Sequence, residues 1–372
     1  MLHEEEYVKI TDIRASVHKF DTRLPLVDKP AGDSLRVVCE METDEGHVGI
    51  GMAARFLVHG VVASVIHHLF PAIKGMDPRD LEAIHARLHP LVSERGRMSG
   101  INLAALSCVD IACWDIIGKA SGRTVAQLLG GHRDYADAYV TYGFGAFDKD
   151  QLVDLGRQLV AKGHSRLKVL VGVAKGGYRE DAERVRYVRE ALGDDVILAI
   201  DANESLGVEE ATQLCRLIED LNIAWFEDPI RQNDARDLAI LRKRTTIPLS
   251  AGQMDGHSHR FREWLEHDAL DICMPNSLYN GGMTETRRVA YLAQIYNRPL
   301  SDAGGGGLFS LHHVAGFRNG TLAECHLGVE QVEQALFLDA PEPENGRLQV
   351  PGAPGFGVNL NRDVMRDTLV TV

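Results

Sequence analysis

The sequence predicts an α/β barrel preceded by a smaller α+β unit, and three observations carry that expectation. The chain is long, its middle repeats a strand-then-helix rhythm, and its first third alternates apolar and polar residues before turning helical. At 372 residues it exceeds one ordinary domain and suits a large barrel with a companion. In the region 126–325, short apolar runs alternate with helical segments: ADAYVTYG, KDQLVDLGRQLVAKG, SRLKVLVG, YREDAERVRYVREALG, VILAIDAN, and onward through IAWFEDP, IPLSAGQ, LDICMPN and RPLSDA. A run of βα units of similar length implies parallel strands, and this many favour closure into a barrel over an open sheet.

The flanking parts read differently. Residues 1–125 open with the alternating patterns VKITDIRASVHKF and LRVVCEMETDEGHVGIGMA, then pass to INLAALSCVDIACWDIIGKASG, whose apolar positions recur every three to four residues. Residues 326–372 turn Pro/Gly-rich (DAPEPENG, VPGAPGFGVNL), and we expect them to pack back on the N-terminal unit.

Composition narrows the function classes. With 45% apolar and 25% charged residues the chain is that of a soluble globular protein, with no apolar run near the ~20 residues of a membrane span. Its acidic, polar start does not read as a signal peptide. Cys39, Cys108, Cys113, Cys215, Cys273 and Cys325 are scattered without CxxC spacing, as expected of reduced thiols in a cytoplasmic protein. A net charge of -13 without a basic stripe argues against nucleic acid. It leaves room for an anionic small substrate, because a metal ion and one lysine can reverse the sign locally.

In a barrel of this kind the functional side chains gather at the C-terminal ends of strands. Lys168, Asp201, Glu227, Gln253, Asn276, Asp302 and Glu324 fall at or near those ends on consecutive units. A lone acid there is ordinarily a helix N-cap. Asp201 and Glu227 are harder to set aside, because each ends a buried-looking apolar run. Two carboxylates and the Gln253 amide oxygen converging at a barrel mouth make a site for a hard divalent cation such as Mg²⁺.

The motifs along nearly the whole chain resemble the enolase superfamily, in its mandelate racemase/muconate lactonizing enzyme branch. The segments LAALSCVDIACWDIIGKASGRTVAQLLGG, GHSRLKVLVG, DANESL, WFEDPI, NGGMTE and PGFGVNL line up with that family in order and spacing. The resemblance implies a modified TIM barrel, (β/α)7β-like, with an α+β capping domain completed by the C-terminal tail. It also implies chemistry in which Mg²⁺ holds a substrate carboxylate and a base removes the proton from the adjacent carbon. By the same resemblance Asp201 and Glu227 are the first two metal ligands, and Gln253 stands where a third acid is usual. Asn203 positions metal or substrate oxygens, Lys168 neutralises the substrate carboxylate, and Glu324 donates to it.

The base positions depart from the family. Leu170 stands where the second lysine of the Lys-x-Lys motif belongs. Asn276 and Ala303 replace the Asp-His dyad of the opposite face. Asp302 is a candidate replacement acid or base, with a cap before the glycine run as its other reading. Tyr142 reads either as an acid toward a leaving hydroxyl or as packing. Asp255, His257 and His259, on the loop after Gln253, read as surface residues within reach of the site, and His312 and His313 as structural. The segments 22–32 and 51–60 match the family's specificity loops and offer Lys29, Arg55 and His59. An arginine there suits a polyhydroxy acid or diacid. The run Gly304–Gly307 lacks the Lys-Ser/Thr ending of a phosphate loop.

Three functions follow. The first is an acid-sugar dehydratase with a relocated base, acting on a small carboxylate. The second is a racemase, epimerase or cycloisomerase, which Leu170, Asn276 and Ala303 disfavour. The third is a relict barrel kept for binding or regulation, which the intact Lys168, Asp201, Glu227 and Glu324 oppose. Family members assemble as dimers to octamers, so a homo-oligomer is expected.

Overall fold

The computed structural model describes residues 7–27, 30–94, 98, 100–305 and 307–370. The N-terminal unit begins as an antiparallel meander of β1 (Ile10–Arg23), β2 (Pro30–Thr43) and β3 (Val48–Ala54). Helices α1 (Val58–Ser64), α2 (Phe70–Ile73), α3 (Leu81–Val92), α4 (Gly100–Ser121) and α5 (Val125–Leu129) follow, with α1 and α2 joined through a π-helical turn.

The wall shared by the two units is α4. Gly51 of β3 sits against the α4 backbone, where any side chain would collide with the Cys108 carbonyl. Toward the barrel, Trp114 Nε1 donates to Thr284 Oγ1 at 3.0 Å, and Asp110 accepts from the Thr284 amide at 3.0 Å. By length and composition α4 is apolar enough to cross a membrane, yet 78% of that stretch is buried inside the protein. Its apolar surface is therefore spent on packing.

The barrel runs through β4 (Tyr135–Gly143), α6 (Lys149–Ala161), β5 (Arg166–Leu170), α7 (Tyr178–Leu192), β6 (Ile197–Asp201), α8 (Val208–Ile218), β7 (Ile223–Glu227), α9 (Ala235–Arg242), β8 (Leu249–Ala251), α10 (Ser258–Glu266), β9 (Ile272–Cys273), α11 (Met283–Ile295), α12 (Gly307–Gly316) and β10 (Leu322–His326). Local chemistry sets the helices. Asp148 caps α6 through a reciprocal pair with Gln151, and α8 turns Ala211, Leu214, Cys215 and Ile218 onto the strands. The strand order is β10-β4-β5-β6-β7-β8-β9. Residues 300–302 close the gap between β9 and β10: the Ser301 amide donates to the Cys273 carbonyl at 2.9 Å and the Asp302 amide to Leu322 at 3.1 Å. The expected fold class is the one observed.

The tail adds α13 (Glu330–Leu336), β11 (Arg347–Gln349), α14 (Arg362–Thr368) and β12 (Leu369–Val370). β12 pairs with β1 and so completes the N-terminal sheet. In addition β11 pairs antiparallel with β4, so the tail straps the first barrel strand as well.

One buried acid on the tail makes stability depend on pH. Glu333 of α13 accepts from the Leu308 amide at 3.2 Å, while its Oε1 is buried with no hydrogen-bond partner among the described residues. Burial, only partly offset by Arg36, raises its pKa from 4.5 to about 7. The native state thus binds the proton more tightly than the unfolded chain, so stability falls as pH rises from about 4.5 to about 7 and is flat above. Glu333→Gln is expected to remove about 3 kcal/mol of that loss, read as a higher Tm at pH 8 with little change at pH 4.5.

Candidate active site

Strand alternation builds the site. On β5, Lys168 and Leu170 share the inward face, and the register places Leu170 beside Asp201 of β6 and Asp201 beside Glu227 of β7. Lys168 Nζ lies 2.6 Å from Glu227 Oε2, 3.1 Å from Glu324 Oε1 and 3.2 Å from Asp201 Oδ2. All four side chains are almost wholly buried. Beneath them Tyr139 of β4 offers its ring to the ammonium at 5.1 Å. Tyr139 packs with Ala199, Trp225, Met274 and Ala303 in an inner layer that floors the site.

These charges tune one another. Burial disfavours the Lys168 cation, but Glu227, Glu324 and Asp201 more than offset it and hold its proton well above the usual lysine range. Burial together with the like charges of Asp201 and Glu324 pushes Glu227 well up, and burial also raises Asp201. Glu324 moves the other way. Burial opposes its ionisation, yet Lys168, His326 and the Thr141 hydroxyl bring it down to about 2. It accepts from Thr141 Oγ1 and from the Gly305 amide at 2.6 Å. In this arrangement Glu324 is therefore an anion that accepts hydrogen bonds from Thr141, Gly305 and Lys168.

The carboxylates fit a divalent cation. One oxygen each from Asp201, Glu227 and Asp228 lie within 4.8 Å of one another, and Glu227 Oε1 is buried with no hydrogen-bond partner among the described residues. Asp228 enters this cluster through a left-handed backbone (φ 39°) and accepts from Asn233 Nδ2 at 2.9 Å. Gln253 lines the cavity above, resting against Gly304, whose φ of 81° and missing side chain make the room. Gln253→Glu is expected to tighten Mg²⁺ binding by about tenfold, measured by calorimetry, since it adds a charge beside the cluster. Unchanged affinity would leave Asp228 alone as third ligand.

Above the carboxylates opens a cavity of about 440 Å³ that includes Arg55, Phe144, Leu170, Asp201, Asn203, Gln253, Glu324 and His326 in its lining. Arg55, in a left-handed backbone (φ 66°), donates to Tyr279 Oη at 3.4 Å. The expected residues Lys168, Asp201, Glu227 and Glu324 thus come together, with Asn203, Gln253 and Arg55 around them.

Others do not join. Tyr142 is one residue out of phase with Tyr139 and Thr141: it faces the helices, with its hydroxyl against Gly156 of α6, and burial raises its pKa. It is packing, and no acid toward the cavity. Asn276 is fully buried, donating to the Ala303 carbonyl at 2.7 Å and accepting from the Leu278 amide at 2.9 Å. Both its polar ends are taken up bracing backbone. Asp302 lies below the cavity, fully buried, with Oδ2 accepting from the Glu324 amide at 3.4 Å; burial and the Glu324 charge push its pKa well up. His59 is exposed on α1 and does not line the cavity, and Lys29 lies outside the described residues. His257 pairs with Glu285 at 3.3 Å and stacks on His259, away from the site.

Asp228, Tyr139 and His326 are the site residues that sequence reasoning passed over. Asp228 directly follows Glu227, and His326 follows Glu324 by the two-residue step that keeps a side chain on the same face.

Known proteins place this arrangement. Residues 29–130 match the mandelate racemase/muconate lactonizing enzyme N-terminal domain, and residues 151–364 match the family described as enolase C-terminal domain-like. Arabinonate dehydratase of Saccharolobus solfataricus is 32% identical, covering 89% of this chain and 90% of its own length. D-galactarolactone cycloisomerase of Agrobacterium fabrum is 30% identical, covering 97% and 98%. The crystal structure of L-talarate dehydratase from a Polaromonas species, complexed with Mg and L-glucarate, superposes with a TM-score of 0.88 at 29% identity, covering 98% of each chain.

Proposed function

The chain belongs to the mandelate racemase/muconate lactonizing enzyme family of the enolase superfamily, and from that premise we propose that it is a Mg²⁺-dependent acid-sugar dehydratase. The observation that carries the reading is the buried cluster of Lys168 with Asp201, Glu227 and Glu324 beneath a polar cavity of about 440 Å³. Relatives and neighbours named as dehydratases of arabinonate, rhamnonate and talarate support the same class.

Asp201, Glu227 and Asp228 would hold the ion, with Gln253 on the wall above. When bound, Mg²⁺ supplies positive charge beside the substrate carboxylate and so acidifies the neighbouring carbon. The protein's own share is electrostatic and positional. Lys168 sets a cation beneath the place where that carboxylate gathers charge. Its three carboxylate partners and the Tyr139 ring leave it no freedom to drift. Asn203 and Arg55 face the far part of the substrate, and the guanidinium suits a second carboxylate or a hydroxylated chain.

Racemisation needs competent groups on both faces of the carbon. Leu170 is a hydrocarbon on the inward face, Asn276 is bound into backbone, and Ala303 is core. Those three positions favour elimination over inversion. A cycloisomerase reading keeps one observation in its favour, the near full-length match to D-galactarolactone cycloisomerase. We further place the protein in the cytoplasm as a homo-oligomer. Its six cysteines are all free and buried, which suits a reducing compartment.

The test is calorimetry of metal-stripped protein with Mg²⁺, alone and with a pool of acid sugars, followed by product analysis. Saturable Mg²⁺ binding that an acid tightens, with a keto acid as product, is the expected result. A lactone-derived product would give the reaction to the cycloisomerase reading. No binding under either condition would make this a non-catalytic barrel.

A further inference from the structure

We propose that His326 is a specificity-determining residue of this site, a ring of fixed tautomer that donates its Nε2–H to an oxygen of the bound substrate. The inference rests on the reading above that the cavity takes a hydroxylated carboxylate. His326 ends β10 two residues beyond Glu324, so the alternation that turns Glu324 inward turns His326 inward too, and both line the cavity.

The tautomer follows from a single contact. The Gly328 backbone amide donates to His326 Nδ1 at 3.1 Å. A backbone N–H can only donate, so Nδ1 must present its lone pair, and the neutral ring then carries its proton on Nε2. Phe144 packs on the imidazole with centroids 5.1 Å apart, which holds the ring plane. Burial, with Arg55 and Lys168 acting against Glu324, brings its pKa down to about 4, so the ring is neutral at pH 7.

This arrangement gives the ring one role and denies it another. Taking a proton at Nε2 from the neutral state requires the other tautomer, whose Nδ1–H would point straight at the Gly328 N–H. His326 therefore does not serve as the missing base. It is a neutral donor that favours an acceptor oxygen, hydroxyl or carboxylate, and rejects a cationic group at the same point. With Arg55 and Asn203 it sets the polar pattern that the distal part of the substrate must match.

Two measurements on the full-length, Mg²⁺-loaded protein test this. In long-range ¹⁵N–¹H spectra, the signals missing from His326→Gln are expected to show a neutral ring protonated on Nε2 throughout pH 5.5–8. A ring protonated on Nδ1, or one that titrates in that range, would overturn the proposal whatever the substrate. In calorimetry with a pool of aldonic and aldaric acids, His326→Gln, whose amide nitrogen reaches the Nε2 position, should bind within about threefold of wild type. His326→Ala should bind about tenfold more weakly while Mg²⁺ affinity stays unchanged, a loss of one buried hydrogen bond. Equal affinity in wild type and His326→Ala overturns the assignment. Wild-type protein that binds no acid in the pool would overturn the functional reading and the ligand assigned to His326 with it, and the spectra separate that failure from a wrong tautomer.

Discussion

Lys168→Met is expected to destroy turnover while tightening Mg²⁺ binding, an opposition that a merely structural lysine would not produce. Lys168 Nζ stands between Asp201 Oδ2, Glu227 Oε2 and Glu324 Oε1 at 3.2, 2.6 and 3.1 Å. It is thus the protein's own cation on two groups that would hold the metal. Each contact of opposite charges near 4 Å amounts to about 4 kcal/mol at an effective dielectric of about 20, so lysine and metal compete for the same carboxylates. Removing the ammonium should strengthen Mg²⁺ binding by about tenfold or more, and lower turnover by about 10²–10³ as the charge under the substrate is lost. The metal-free variant should also be less stable, by about 3–5 kcal/mol, because breaking a buried ion pair strands its partners. Saturating Mg²⁺ should restore much of that loss. Titration calorimetry and thermal unfolding with and without Mg²⁺ read all of this. Weaker Mg²⁺ binding in the variant would mean that Lys168 supports the metal site and does not compete with it.

The parts of this site that were legible in the sequence are those whose signal lies within a single strand. VILAID and IAWFE end apolar runs in an acid, and a buried run can end so only where the strand meets a cavity or a cap. Their register then brings Asp201 and Glu227 together. What stayed hidden depends on geometry between strands. Tyr142 and Tyr139 lie on one strand, and a register shift between Thr141 and Gly143 obscures which tyrosine faces inward. Asn276 and Asp302 follow stretches too short to carry an alternation, β9 being two residues long. Their orientation is fixed instead by hydrogen bonds to Ala303 and Glu324 that no local pattern announces. Asp228 needs a backbone φ of 39° to turn into the cluster, a conformation sequence does not spell for aspartate. His326 was readable from its two-residue step beyond Glu324, but its role depends on an amide two residues further along.

Glu227→Gln should show the reverse behaviour from Lys168→Met, and the pair of variants makes a sharper test than either alone. In the metal-free protein Asp201, Glu227 and Glu324 surround one ammonium, and Asp228 adds a further buried carboxyl next to them. Negative charge exceeds positive, which is why burial and like charges push Glu227 well up. A neutral amide at this position keeps an oxygen toward Lys168, which retains Asp201 and Glu324 as partners, and relieves the repulsion. The metal-free variant is therefore expected to unfold at the wild-type temperature or about 2–4 °C above it. Mg²⁺ binding should weaken by about 100-fold or more, because the lost charge would be a direct ligand, and the Mg²⁺-induced rise in Tm should vanish. Turnover should go with it. A functional site that stores unfavourable charge for its ligand gains stability when disarmed, and this one holds that charge at the buried floor of the cavity, where salt screens it less than at the surface. Should Glu227→Gln instead lower the metal-free Tm while keeping its response to Mg²⁺, the carboxylate would be a structural partner of Lys168 and the ion would bind elsewhere.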